Sequence, residues 1–265
     1  MGKYIVKRLL WMIPIVLGVA VLVFTLMLFC PGNPAEIILG GTATEAEIAA
    51  KTEELGLNDP YLVRLGTYLS DVFLHGDLGA SWSTNVDIMS TILERLPRTM
   101  ILTIVTLFIA YGLGVPLGII AATHQNRWQD TASMLVALIG LAIPNFWLAL
   151  MLVLLFSVQL GWLPAMGIDN GIFSYILPAI SSCMTAFATC ARQTRSSMLE
   201  VIRSDYITTA RSKGVPERQV IVKHALKNAL IPIITMFGTS FGTLLGGMMI
   251  IETVFSIPGM GTYII

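Results

Sequence analysis

An all-α integral membrane protein is the fold class this sequence predicts, on three observations. Five runs, at about residues 9–29, 99–122, 131–160, 175–191 and 229–255, are apolar and near or above the roughly 20 residues that cross a hydrocarbon core. Hydrophobic residues are 55% of the 265 and charged residues 12%, and the mean hydropathy is +0.78, far from the balance of a soluble domain. The remaining charges are segregated: residues 31–98 hold ten acids against Lys51, Arg64, Arg95 and Arg98, whereas 192–227 hold eight basic residues against three acids. The net charge of +0 hides this asymmetry.

Because Lys and Arg collect on cytoplasmic segments, the amino terminus with Lys3, Lys7 and Arg8 belongs inside. Residues 1–30 then form the cytoplasmic N-terminus and first spanning helix, which Pro31-Gly32 ends. The run is too long for a signal-peptide core of about 7–15 residues, and no small-x-small cleavage site follows it.

Residues 31–98 are predicted outside as a small helical insertion. Thr44 with Glu47 makes a capping box, Gly56 stops that helix, and Asp59-Pro60 starts another carrying Leu62, Leu65 and Leu69. A glycine-rich turn from His75 to Ser81 precedes a helix with Val86, Met89, Ile92, Leu93 and Leu96 on one face.

The core, 99–265, holds the other four spans. In the second, Gly112, Gly114, Pro116 and Gly118 allow close helix approach or a kink. A loop at 124–130 containing Arg127 is cytoplasmic, and the third span is interrupted at Pro144-Asn145. Gly161-Trp162-Leu163-Pro164 turns the chain at the outer interface, where Trp is favoured. Arg192 and Arg195 mark the inner end of the fourth span.

The basic loop 192–228 is more specific than a topology signal. Ser204 or Asp205 caps a short helix running to about Lys213, and Gly214 ends it in the left-handed conformation. Pro216 suits the first turn of a second helix leading directly into the fifth span. In that span Gly238, Gly242 and Gly246 line one face, either for contact with a second subunit or for packing within this chain. Glu252 is expected in its last turn, near the outer surface, where desolvation is modest. Cys30, Cys183 and Cys190 lack metal or disulfide spacing and read as small packing residues.

D-Y-x-x-T-A-R-x-K-G at 205–214 and K-H-A-L-x-N-A-x-I-P at 223–232 resemble the cytoplasmic loop of ATP-binding-cassette importer permeases of the dipeptide, oligopeptide and nickel class. G-D-L-G-x-S at 76–81, R-L-P-x-T at 95–99, the stretch 144–167 and E-x-x-F-x-x-P-G-x-G at 252–261 are similar in order. The broader importer signature, E-A-A-x-x-x-G, is altered, with Thr208 and Thr209 replacing Glu and the first Ala while Ala210 and Gly214 remain. The resemblance implies a coupling helix that docks in a groove of an ATPase subunit. On it we place Asp205, Tyr206, Thr209, Ala210, Arg211, Lys213, Gly214, Arg218 and His224. It also implies a re-entrant outer loop after Glu252 and a further spanning helix beyond Ile265, so a shortened chain is expected.

No G-x-x-x-x-G-K-[ST] loop is present to cradle ATP, nor H-E-x-x-H or G-x-S-x-G, so no catalytic or metal-ligating residues and no bound cofactor are expected. By the resemblance, ATP and Mg belong to two partner ATPases. The other partners are a second, homologous permease, an extracytoplasmic binding protein and the lipid bilayer, with no nucleic acid. The setting is a bacterial plasma (inner) membrane, and the function is import of di- or oligopeptides by alternating access. Nickel or glutathione fits the same architecture. A secondary transporter is the rival of another class, but it would usually need ionisable groups inside the membrane, and only Glu252 is offered.

Overall fold

The computed structural model describes residues 2–29, 31–40, 42–82 and 84–264, and Cys30 lies outside them. Helices dominate, and among the described residues there is no β-strand beyond one isolated bridge, Ala80 with Asp87. Among the described residues four helices are long and apolar enough to span a membrane, and a bent pair makes a fifth span if its halves count as one. The chain divides into two compact units, Met1–Leu93 and Glu94–Ile265.

In the first unit, α1 (Gly2–Met27) buries none of its apolar span, as suits side chains that face lipid. Phe24 on α1 stacks on Tyr68 at 5.1 Å between ring centroids, and Thr25 Oγ1 hydrogen-bonds Tyr61 Oη at 2.8 Å. Asn33 caps α2 (Pro34–Leu39) by accepting from the Ala35 amide. The capping box expected at α3 (Glu45–Glu54) forms, and the Thr44 amide and hydroxyl hold the Glu47 carboxyl below the usual carboxylate range. Gly56 then takes φ +62°. Next come α4 (Tyr61–Ser70) and a wide π turn, Asp71–His75.

The expected break before the second span does not occur: α5 (Ile88–Thr123) is one helix through Pro97. A proline removes one amide donor and kinks a helix without having to end it. The third span is α6 (Trp128–Ala142) and α7 (Asn145–Leu152, with a π turn Val153–Gln159), bent by 94° at Pro144. Together they still join the two ends of the bundle. Asp130 on α6 pairs with Arg195 near the basic end of α8 (Ile176–Ile202), and Gly167, beyond α7, donates to the Phe255 carbonyl. The 3-10 turn Gly171–Tyr175 leads into α8, whose 27 residues span about 40 Å.

α8 is the most buried span and runs well past the expected end at 191, so Arg192 and Arg195 lie inside the helix. The continuation is possible because Thr194, Ser197 and Met198 are buried and Arg195 has its counter-ion in Asp130. Lipid is as apolar as leucine, so such helices associate by close contact of small residues. Ala110, Ala137, Ala149, Ala179, Ala188 and Ala191 are all fully buried. Of the glycines in α5, Gly114 and Gly118 make the close approach: a Cβ on Gly118 would lie 2.5 Å from Thr194 Cβ and 2.6 Å from the Ala191 carbonyl oxygen. Gly112 faces open space.

The last span ends earlier than expected. α9 (Asp205–Ser212) and α10 (Glu217–Gln219) are followed by a π turn Val220–Ala225 and α11 (Leu226–Gly247). α12 (Met249–Val254) and α13 (Met260–Tyr263) then form a separate hairpin.

Candidate functional site

Two constellations lie at opposite ends of the bundle. At the basic end is the helix pair α9/α10. Its turn is a Schellman motif: the Gly214 amide donates to the Arg211 carbonyl at 2.9 Å and the Val215 amide to the Ala210 carbonyl at 3.3 Å. Gly214 has φ +74°, as expected, and Val215 packs with Ala210 in the cluster below. The spacing Ala210 to Gly214 is thus the spacing from the third-last helical residue to the left-handed one, a physical reason for that part of the motif. Ser204 holds the cap position, although its hydroxyl donates back to the Val201 carbonyl, and Pro216 precedes the first turn of α10.

The pair is pinned from beneath. Ile207 and Val220 are fully buried with Ala122, Met198, Ala225 and Ala229, so α5, α8, α9 and α11 share one apolar cluster. Asn228 donates to Tyr206 Oη at 2.7 Å, and Arg211 grips Glu217 through two bonds across the turn. That ion pair is largely exposed, so it sets geometry more than stability. Above these pins Asp205, Tyr206, Thr209, Arg211, Lys213, Gly214 and Arg218 are exposed, with Ala210 and His224 half-buried. Sequence reasoning missed Ile207, Glu217, Asn228 and the half-buried Asp130–Arg195 pair, with bonds of 2.6 and 2.7 Å. A β-branched apolar residue within a basic stretch was the available signal for the first.

At the opposite end stands Glu252, where the structure corrects the expectation. It is not in the last turn of a span but on α12, and its exposure is 0%. Thr99 Oγ1 donates to its Oε1 at 2.5 Å and the Thr262 amide to its Oε2 at 3.1 Å. Burying a carboxylate is tolerable only with such bonds. Thr99 in turn accepts from the Met260 amide at 2.8 Å, Arg98 donates to the Pro258 carbonyl, and the Arg95 guanidinium lies 5.1 Å from the centre of the Tyr263 ring. Gly259 and Gly261 are glycines because a Cβ on either would run into the Glu252 carboxylate or the α12 backbone. R-L-P-x-T and E-x-x-F-x-x-P-G-x-G, far apart in sequence, are therefore two halves of one structure.

Among the described residues, Gly238, Gly242 and Gly246 meet no neighbouring element: a Cβ on any of them would have none of its atoms within 4 Å. With Thr235, Thr239 and Thr243 they make an exposed face of small residues along α11. Among the described residues no group of His, Cys, Asp or Glu is placed to hold a metal. Cys183 and Cys190 are buried, as expected for packing residues.

A spanning helical bundle with one bent span, a pinned basic helix pair and a buried terminal hairpin is the architecture of a transporter's membrane subunit. Residues 114–265 match the family described as binding-protein-dependent transport system inner membrane component, and 1–103 match its N-terminal region; the chain belongs to this family. It is 45% identical to the dipeptide transport system permease protein DppB of Alkalihalophilus pseudofirmus, over 100% of this chain and 87% of that one. It is 42% identical to the glutathione transport system permease protein GsiC of Salmonella typhimurium, over 100% and 86%. Its fold resembles a chain of the inward-facing MetNI methionine ABC transporter, with TM-score 0.54 and 20% identity over 66% of this chain and 79% of that one.

Proposed function

We propose that this chain is the permease subunit of an ATP-driven importer of di- or oligopeptides, and that the α9/α10 pair is its coupling element. The observation that carries the reading is the pinned pair itself. An exposed polar surface is fixed at both ends and from beneath to α5, α8 and α11, so a force applied there reaches three membrane-crossing helices. Asp205, Tyr206, Thr209, Arg211, Lys213 and Arg218 form the ATPase contact, Ala210 and Gly214 set its angle, and His224 supports its root. The ATPases supply ATP and Mg, and an extracytoplasmic binding protein delivers the substrate.

The peptide assignment rests on the 45% relative, named for dipeptides; the relative named for glutathione makes that tripeptide the second reading. Complex reconstituted in lipid should hydrolyse ATP faster with binding protein and dipeptide than with binding protein alone. Stimulation by glutathione or nickel and not by dipeptides would overturn the assignment.

The amino terminus, 123–130 and 192–228 are placed in the cytoplasm, with 31–98 and 161–174 outside, on the asymmetry of charge. In a background lacking the native cysteines, Thr84→Cys should react with an impermeant maleimide in intact cells and Ser212→Cys only after lysis. The reverse pattern would invert the scheme. The open glycine face of α11 is assigned to the second permease, since none of the described residues lies within 4 Å of a Cβ placed there.

A further inference from the structure

We propose that Glu252 and Thr99 form a latch that positions the α12/α13 hairpin against α5 and thereby sets how readily the outer end of the path opens; the outer placement rests on the importer reading above. Three independent features converge on it. The carboxylate has 0% exposure, deep in a hairpin otherwise held in an apolar cluster with Phe255 and Ile257. The Thr99 hydroxyl is used twice, accepting from Met260 of the hairpin and donating to Glu252, so one side chain of α5 ties together both short helices. Gly259 and Gly261 leave empty the volume that the carboxylate fills. A residue needed only for bulk would not be met by two glycines and two aligned donors.

The chemistry distinguishes a latch from filling. Thr99→Val keeps the shape but strands the half-buried Met260 amide and the fully buried Glu252 Oε1, and a stranded buried group costs far more than the bond itself contributes. Thr99→Ser keeps the hydroxyl. Glu252→Gln keeps the size, but its amide group presents a donor towards either the Thr262 amide or the Thr99 hydroxyl, where an acceptor is needed.

Two readouts test the latch in the full complex. In lipid, the ratio of binding-protein-stimulated to basal ATP hydrolysis should fall about tenfold in Thr99→Val, with the basal rate raised, and stay within about twofold of wild type in Thr99→Ser. The double variant Thr99→Val/Glu252→Gln should lose less than the product of the two single losses, because both disturb the contact between Thr99 and residue 252. Independently of ATP and partners, Ile257→Cys, fully buried in the hairpin, should be labelled by an impermeant maleimide about tenfold faster when combined with Thr99→Val than with Thr99→Ser. Equal labelling in those two backgrounds would overturn the latch, as would losses that multiply in the double variant. Basal and stimulated rates falling by one common factor would also overturn it. A wild-type complex that no loaded binding protein stimulates would sink the importer reading instead, while the labelling still decides the latch.

Discussion

Gly118→Val should lower the amount of folded subunit in the membrane at least about several-fold, whereas Gly242→Leu should leave it inserted and lower its recovery with a second permease. The two glycines look alike in sequence and differ in what surrounds them. At Gly118 the first added carbon already overlaps Thr194 Cβ and the Ala191 carbonyl, which is backbone of the most buried helix and cannot turn aside. Overpacking costs about 1–3 kcal/mol where neighbours can yield, and losses of that size lower cellular abundance about several-fold. At Gly242 none of the described residues lies within 4 Å of an added Cβ, so the new side chain starts in open space. Membrane fractionation reads the first effect and co-purification through a tag on the second permease reads the second. Lost insertion of Gly242→Leu with normal recovery of whatever inserts would refute the interface.

Gly214→Val should uncouple the transporter without unfolding it. Its φ of +74° costs a residue with a Cβ about 1–2 kcal/mol, and more for a β-branched one. There is room for the side chain, so the whole cost falls on the backbone of the turn. The turn relieves it by rotating α9 against α10, against the pins at Ile207 and Tyr206. Stimulated ATP hydrolysis should fall at least about fivefold, since about 1 kcal/mol already shifts a two-state balance by about that factor. Gly214→Asn should be close to wild type, because asparagine tolerates the left-handed region. Equal defects in the two variants would show that size, not backbone, matters at this position.

The spans, the capping box at Thr44, the left-handed Gly214 and the break at Pro144 were legible because each depends on neighbours a few residues away. What was not legible depends on distant partners. Nothing local to Arg195 says that a helix continues through it; that follows from Asp130, on another helix. Local reading put Glu252 at the end of a span, where a charge is inexpensive. Its burial becomes tolerable through Thr99 and the Thr262 amide, and the reason for Gly259 and Gly261 becomes visible only with it. For Gly238, Gly242 and Gly246, periodicity revealed the small-residue face but not what it faces.

The separation of Thr99 from Glu252 also orders the birth of the protein. The two residues lie 153 positions apart. At the usual speed of synthesis, about 5–20 residues per second, α5 waits roughly 8–30 s with its threonine unmatched before Glu252 leaves the ribosome. Three further crossings must be threaded in that interval. The bond between them therefore closes only after those crossings are made, and a subunit stalled earlier carries an unsatisfied hydroxyl on α5.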